Sequence, residues 1–310
     1  MIARTSEDKI TGWFAQQSRL NAYDFPIGIG DDMAEVRLSD SATVLITTDM
    51  LLDGAHFDLK KHTLVQAAYK SMLTSLSDCA AMATVPIAAV AAVALPKNFG
   101  EKELKQIHDG IIAAADRYNC KLIGGDITKW KTSDQLFAIN ITMLSRRGHC
   151  EPIRRNGAKS GDVICVTGEL GGSLAGKHLN FVPRVEEALE ITKIAKINSM
   201  MDISDGLSID LSRICEQSGT GACIEAGKIP VSNAAKKSAN PLVAALNDGE
   251  DFELLFSLAE EQYSILKDKW RGAMPITVIG RMNDSGKLTL KYNDGRIEEL
   301  KAAGFDHLKS

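Results

Sequence analysis

Two α/β or α+β domains are predicted for this chain, and three observations predict them. Strand-like apolar runs and helical periodicities are mixed in both halves. The length of 310 residues, 45% of them hydrophobic, suffices for two ordinary domains or one large one. A polar stretch at 148–151, with Arg146 and Arg147 before it and Pro152 after it, reads as a surface linker. It divides a domain at 1–148 from a domain at 149–310.

In chain order, residues 1–20 read as an amphipathic helix with Ile10, Trp13, Phe14 and Leu20 on one face. An acidic turn at Asp31 and Asp32 follows, then a short buried strand over 44–46 with Thr47, Thr48 and Asp49 at its exit. A loop runs through Asp53, Gly54, Ala55, His56 and Phe57. Leu64, Ala67, Ala68, Met72, Leu76, Ala80 and Met82 approximate a helical period over 63–83. A continuous apolar strand at 87–95 is stopped by Pro96, and a helix is predicted over 101–118. A strand then runs into Leu122-Ile123-Gly124-Gly125-Asp126, and another covers 136–144. The second half reads as strand 163–166, helix 184–196, strand 200–201 and helix 205–218, with Gly219 as its C-terminal cap. Strands at 253–258, 277–279 and 288–292 and a helix near 260–269 complete it.

The chemistry lies in recurring acids. Gly28-Ile29-Gly30-Asp31-Asp32, Thr47-Thr48-Asp49-Met50, Gly124-Gly125-Asp126 and Asp202-Ile203-Ser204-Asp205-Gly206 each set carboxylates beside a glycine or hydroxyl at the end of an apolar run. Asp78 sits among Ala, Cys and Met late in the 63–83 helix, where an unpartnered carboxylate is expensive to bury. Taken singly, such residues are ordinary caps and turn formers, and Asp78 could face solvent. N-capping accounts for Asp202 or Asp205 but not for both together with Ser204. Hard cations such as Mg²⁺ take carboxylate oxygens along with phosphate and water. The recurrence therefore points to several Mg²⁺ ions held over a nucleotide's phosphates. The glycines before Asp126 would let the backbone approach a bulky anion.

A net charge of −4 and a pI of about 5.9 argue against a nucleic-acid partner, which calls for a basic surface. The six cysteines form no C-x-x-C pair and read as reduced core thiols of a cytoplasmic protein, with no zinc site. No basic-then-apolar leader is present, and the 87–95 run is far short of the ~20 residues a membrane helix needs. Residues 163–178 imitate a P-loop, with a strand leading to G-x-x-x-x-G-K. His178 stands where the Mg²⁺-binding hydroxyl is required, so the motif fails at a chemical position. Gly28-Ile29-Gly30 lacks the third glycine of a dinucleotide fingerprint, and no run matches an EF-hand loop. His56, in an acid-rich loop, reads as structural or as a phosphate contact. No nucleophile with a matching base is visible.

The strings GIGDDM at 28–33, TTDMLLDGAHF at 47–57, SLSDCAAMATVP at 75–86, GGD at 124–126, RNGAKSGD at 155–162, MDISDGLSIDL at 201–211, GEDFELLF at 249–256 and GFDH at 304–307 resemble, in the same order, those of the thiamine-monophosphate kinase family. That family is related to aminoimidazole ribonucleotide synthetase, selenophosphate synthetase and a hydrogenase-maturation protein. The resemblance implies an N-terminal α/β domain that pairs with its copy through a β-barrel, a C-terminal α+β domain that completes a cleft, and a homodimer. It implies ATP and thiamine monophosphate as ligands. Asp32, Thr47, Thr48, Asp49, Asp78, Asp126, Asp202 and Asp205 would bind Mg²⁺. Tyr118, Gly125, Arg155 and Ser204 would contact ATP. His56, Glu250 and Phe305 would meet the acceptor. The chain departs from the family where Gly-Gly-Glu-Asp becomes Asp248-Gly249-Glu250-Asp251 and where Met-Gly-Ala becomes Met82-Ala83-Thr84. It lacks the N-terminal reactive cysteine of selenophosphate synthetase and the C-terminal cysteine of the hydrogenase-maturation type. Another acceptor in the same superfamily, or a binding protein without turnover, stays open. The acceptor phosphate, with a second pKa of about 6, is already mostly ionised at neutral pH, so no general base is expected.

Overall fold

The computed structural model describes residues 5–132, 134–306 and 308. The chain opens with α1 (Ser6–Gln17), held by a capping box in which Thr5 Oγ1 accepts the Asp8 N–H at 3.0 Å and Asp8 returns the bond to the Thr5 N–H. β1 (Ala34–Ser39) and β2 (Ala42–Leu52) form a hairpin, followed by α2 (Leu64–Ala81), β3 (Thr84–Leu95), α3 (Glu101–Ala115), β4 (Lys121–Lys129) and β5 (Ala138–Arg147). These five strands make one sheet in the order β1-β2-β5-β3-β4; β3 and β4 are parallel, as the α3 crossover requires, and the other pairs are antiparallel.

The second half contains β6 (Val163–Thr167), α4 (Val185–Ile194), β7 (Ser199–Asp202), α5 (Leu207–Ser218), β8 (Gly221–Glu225), α6 (Pro241–Asn247), β9 (Leu254–Leu258), α7 (Glu260–Lys269), β10 (Ile276–Asn283), β11 (Leu288–Lys291) and β12 (Ile297–Glu299). Its seven strands form a second sheet, β12-β11-β8-β10-β6-β9-β7. Every strand of the first sheet precedes residue 148 and every strand of the second follows residue 162. One apolar cluster nevertheless joins the halves, running from Met72, Leu76 and Ile141 to Val163, Ile191 and Phe256.

α2 is the shared element. It packs on β2, β3 and β5 of the first sheet, on α3 and α4, and on β7 of the second sheet. A helix covered on so many sides must be apolar or polar-satisfied almost all round, and α2 buries twelve of its eighteen residues. The small Ala68 and the bare backbone of Gly110 let α2 and α3 approach closely. A Cβ on Gly110 would stand 2.4 Å from the Val65 carbonyl oxygen.

Several expectations change. β2 does not end at Ile46: its ladder to β5 continues through Leu52, so Thr47, Thr48 and Asp49 are interior strand residues. Gly124, Gly125 and Asp126 likewise lie inside β4 rather than at its exit, and the close approach Gly125 permits is to the Ala91 backbone, whose oxygen a Cβ would meet at 1.9 Å. The predicted 101–118 helix ends at Ala115 and tightens into a 3₁₀ turn over Asp116–Tyr118, with Asn119 left-handed. α1 buries no side chain, and Trp13 and Phe14 of its apolar face are about half exposed. β1, β8 and β12, short and weakly patterned, were not expected. Ala83, where the family has glycine, adopts φ 53°, a backbone conformation glycine takes without steric cost.

Gly110→Ala is expected to destabilise the protein by about 1–2 kcal/mol, because overpacking at a backbone contact outweighs the helix propensity gained. Chemical denaturation of the two proteins checks this.

Candidate active site

α2 and the ends of three other elements build the site. Asp32 follows the Gly30 turn, Asp78 lies in the last turn of α2, and Asp202 ends β7. Each offers a side-chain oxygen within 4.8 Å of the others. Carboxylates so close would repel, and the surroundings respond. Thr47 Oγ1 donates to Asp78 at 2.5 Å and Ser77 Oγ to Asp202 at 2.5 Å, while Arg155 grips Asp32 with Nη2 at 2.6 Å and Nε at 3.1 Å. Next to the group, Ser75 Oγ donates to Asp49 at 2.5 Å.

Burial, aided by the neighbouring charges of Asp49, Asp202 and Asp32, holds the Asp78 carboxyl well above the usual range. Asp202 is raised by burial and by Asp32, against the Ser77 hydrogen bond. Burial and Asp32 push Asp49 up to about 6, with the Ser75 hydroxyl opposing.

The alternation of β2 sorts its three polar residues. Thr47 and Asp49 face α2, and Thr48 faces the other way, its hydroxyl 3.0 Å from that of Thr142 across the sheet. Asp126 is farther off. Through Ala92 and Asn140 it shares a row with Met50, three strands from β2, which is roughly 14 Å across a sheet. It lies on the sheet face opposite to Asp49, while its neighbour Gly125 lines a depression beside α3 with His108 and Ile111.

A cleft of about 390 Å³ opens at Asp49 and gathers Thr48, His56, Ser204, Asp205, Glu250 and Phe305. His56 accepts the Leu52 N–H on Nδ1 at 3.0 Å. Asp205 is held by Arg213 at 2.6 Å, and its carbonyl accepts the Phe305 N–H. The loop before β9 is strained: Gly249, Glu250 and Phe252 all take positive φ, and the Glu250 N–H donates to the Ser204 carbonyl at 2.6 Å. Tyr118 lies apart, its hydroxyl donating to the Pro183 carbonyl at 3.1 Å. His307, last in the GFDH string, is outside the described residues.

The capping expectation at 202–205 is corrected. Neither Asp202 nor Asp205 caps α5. Asp210, inside the helix, accepts the N–H groups of Asp205 and Gly206, and burial pushes its carboxyl up to about 7. The P-loop imitation resolves into two short 3₁₀ turns at Ser173–Ala175 and Lys177–Leu179, and Lys177 donates to Glu253 at 2.9 Å. Sequence reasoning missed Ser75, Ser77, Arg213 and the buried Lys70. The signal for Lys70 was the one applied to Asp78: a charge inside an apolar helix must be partnered.

The model of the AIR synthase related protein N-terminal domain matches residues 30–146, and that of the C-terminal domain matches residues 172–293. The thiamine-monophosphate kinase of Rhodopirellula baltica is 35% identical over 91% of this chain and 91% of its own length. That of Escherichia coli K12 is 33% identical over 93% of this chain and 94% of its own. Among solved structures, AaThiL complexed with AMPPCP and TMP superposes with a TM-score of 0.82 at 27% identity, covering 98% of this chain and 97% of that one. The hydrogenase maturation protein HypE in complex with ATP shares the fold at a TM-score of 0.69 and 16% identity. Matched along both halves by family models, and 35% identical to such an enzyme over nine-tenths of its length, the chain belongs to the thiamine-monophosphate kinase family.

Proposed function

We propose that this protein transfers the γ-phosphoryl group of ATP to the phosphate of thiamine monophosphate, giving thiamine diphosphate and ADP. The observation that carries the reading is the convergence of Asp32, Asp78 and Asp202 beside Asp49, which itself lines a cleft shared with His56, Glu250 and Phe305. The relative with AMPPCP and TMP supports both ligands.

The donor set fits Mg²⁺. It is all oxygen, the Asp78 and Asp202 carboxyls are raised by burial and by neighbouring charge, and a hard divalent cation would relieve that repulsion. Asp32, Asp78 and Asp202 would hold the metal, with Thr47 and Asp49 alongside. Bound there, Mg²⁺ would screen the phosphates and withdraw charge from the transferring group. The chain's own residues position the reactants, which is most of what phosphoryl transfer asks of a protein. Arg155 already forms a two-pronged contact with Asp32, so its guanidinium is oriented at the metal edge, where phosphates would gather. Phe305 offers an aromatic face, and a cationic ring gains from its π-system.

The same reading includes a homodimer. The sheet face away from α2 carries Met50, Leu52 and Val90, all more than a third exposed. Pairing of two such faces into a barrel would cover them, and would give Asp126, on that face, a second copy in which to serve as a ligand. No described helix is long and apolar enough to cross a membrane.

Purified protein with Mg·ATP and thiamine monophosphate is expected to form thiamine diphosphate and ADP in equal amounts, stopped by EDTA; ATP binding without diphosphate would move the function to another acceptor. Asp126→Asn is expected to abolish turnover while keeping the melting midpoint, and an active variant would end its assignment as a ligand. Val90→Asp is expected to yield monomers by analytical ultracentrifugation.

The raised carboxyls also predict a pH dependence. Their folded-state pKa values exceed the unfolded ones, so without metal the folded state holds extra protons, and the associated stability is lost as pH rises from about 4 through 6. In EDTA, Asp78→Asn should therefore raise the urea midpoint at pH 7.5, and the gap should narrow toward pH 5. In Mg²⁺ the advantage should shrink or reverse.

A further inference from the structure

Lys70 is a lysine at a place where lysine is rarely found. It lies within α2, its side chain only 1% exposed, between Ala67, Ala68 and Met72. Its ammonium donates to Glu250 Oε2 at 2.5 Å and to the His56 carbonyl oxygen at 2.6 Å. One cation thus joins the two chain segments that carry groups of the proposed acceptor site. His56 lies in the turn after β2, and Glu250 lies in the loop before β9, in the other sheet unit.

Stability alone does not account for this arrangement. A buried ion pair costs both partners their hydration, and apolar side chains of similar volume usually do as well or better. The surrounding apolar positions would accommodate a methionine. Glu250 needs restraint, however. Its backbone takes a left-handed φ of 55°, and its carboxylate is 21% exposed at the cleft wall. Without an anchor a glutamate there has several rotamers to sample. Position on the helix matters as well. Lys70, Thr74 and Asp78 are four residues apart and so form one stripe along α2. Lys70 and Thr74 line the cleft, and Asp78 joins the carboxylate group.

We propose that Lys70 is a positioning residue for the acceptor: it clamps the Glu250 carboxylate and the His56 turn into one wall, so that the acceptor meets both groups already set. The inference rests on the reading of the cleft as the acceptor site for thiamine monophosphate. Lys70 acts through Glu250 and His56, not on the phosphates, so its effect belongs to acceptor binding and not to the nucleotide.

The test is steady-state kinetics of thiamine diphosphate formation by wild type, Lys70→Met, Glu250→Gln and the double variant, with KM measured separately for thiamine monophosphate and for Mg·ATP. Lys70→Met is expected to raise the acceptor KM by about tenfold or more, with kcat and the ATP KM within about twofold. The double variant should be no worse than the more impaired single variant, because the lysine acts through the glutamate. Should Lys70→Met fold poorly, Lys70→Gln removes the charge while keeping an N–H for the His56 carbonyl, and the same shift is expected. An unchanged acceptor KM overturns the proposal. So does a parallel rise in both KM values with a fallen melting midpoint, which would mark a structural pin. Multiplying effects in the double variant overturn the route through Glu250. A wild type that forms no thiamine diphosphate removes the acceptor reading itself and this inference with it; an active wild type with an unmoved variant removes this inference alone.

Discussion

Mutual repulsion among Asp32, Asp78 and Asp202 is the constraint on which the rest of the structure depends. Two unit charges within 4.8 Å repel by about 3.5 kcal/mol or more at an effective dielectric near 20. Three of them, drawn from a turn, a helix and a strand end, would push those elements apart unless something held them. The hydroxyls of Thr47 and Ser77 and the guanidinium of Arg155 answer part of the charge. Protons answer another part, which is why the carboxyls of Asp78 and Asp202 are raised. A metal ion would answer the remainder. The fold keeps three acids together at a cost that the local donors offset only in part.

α2 is what makes that cost tolerable. It is buried between the two sheets and supplies Ser75, Ser77 and Asp78 to the carboxylate end and Lys70 to the cleft. Apolar packing on both sides fixes its axis and therefore the spacing of these groups. The serines contribute the local donors that a buried carboxylate requires. A single helix thus sets the spacing between the carboxylate group and the Lys70–Glu250 pair.

Much of this was legible in the sequence. The acids stood out because they recurred beside glycines and hydroxyls, and three of them do meet. The elements with long apolar runs, such as β3 and α2, were placed to within a few residues. What was not legible has physical reasons. Thr47-Thr48-Asp49 read as a strand exit because polar residues commonly end strands, yet the β5 ladder carried β2 onward. Thr48 and Asp49 looked equivalent in sequence, and only the pleat separates their faces. Capping of α5 by Asp210 depends on a helical residue reaching back to Asp205 and Gly206, a tertiary choice that spacing does not encode. Lys70 went unnoticed because its partners, His56 and Glu250, are 14 and 180 residues away.

The contacts of α1 bear on the order in which the molecule assembles. The helix buries no side chain; Asp8 is bonded to Arg213, and the Ser6 N–H is bonded to Asp306. A twelve-residue helix is marginal by itself in water. Its two tethers lie 205 and 300 residues away along the chain, so the helix has nothing to dock against until those distant segments are in place, and it settles late in assembly.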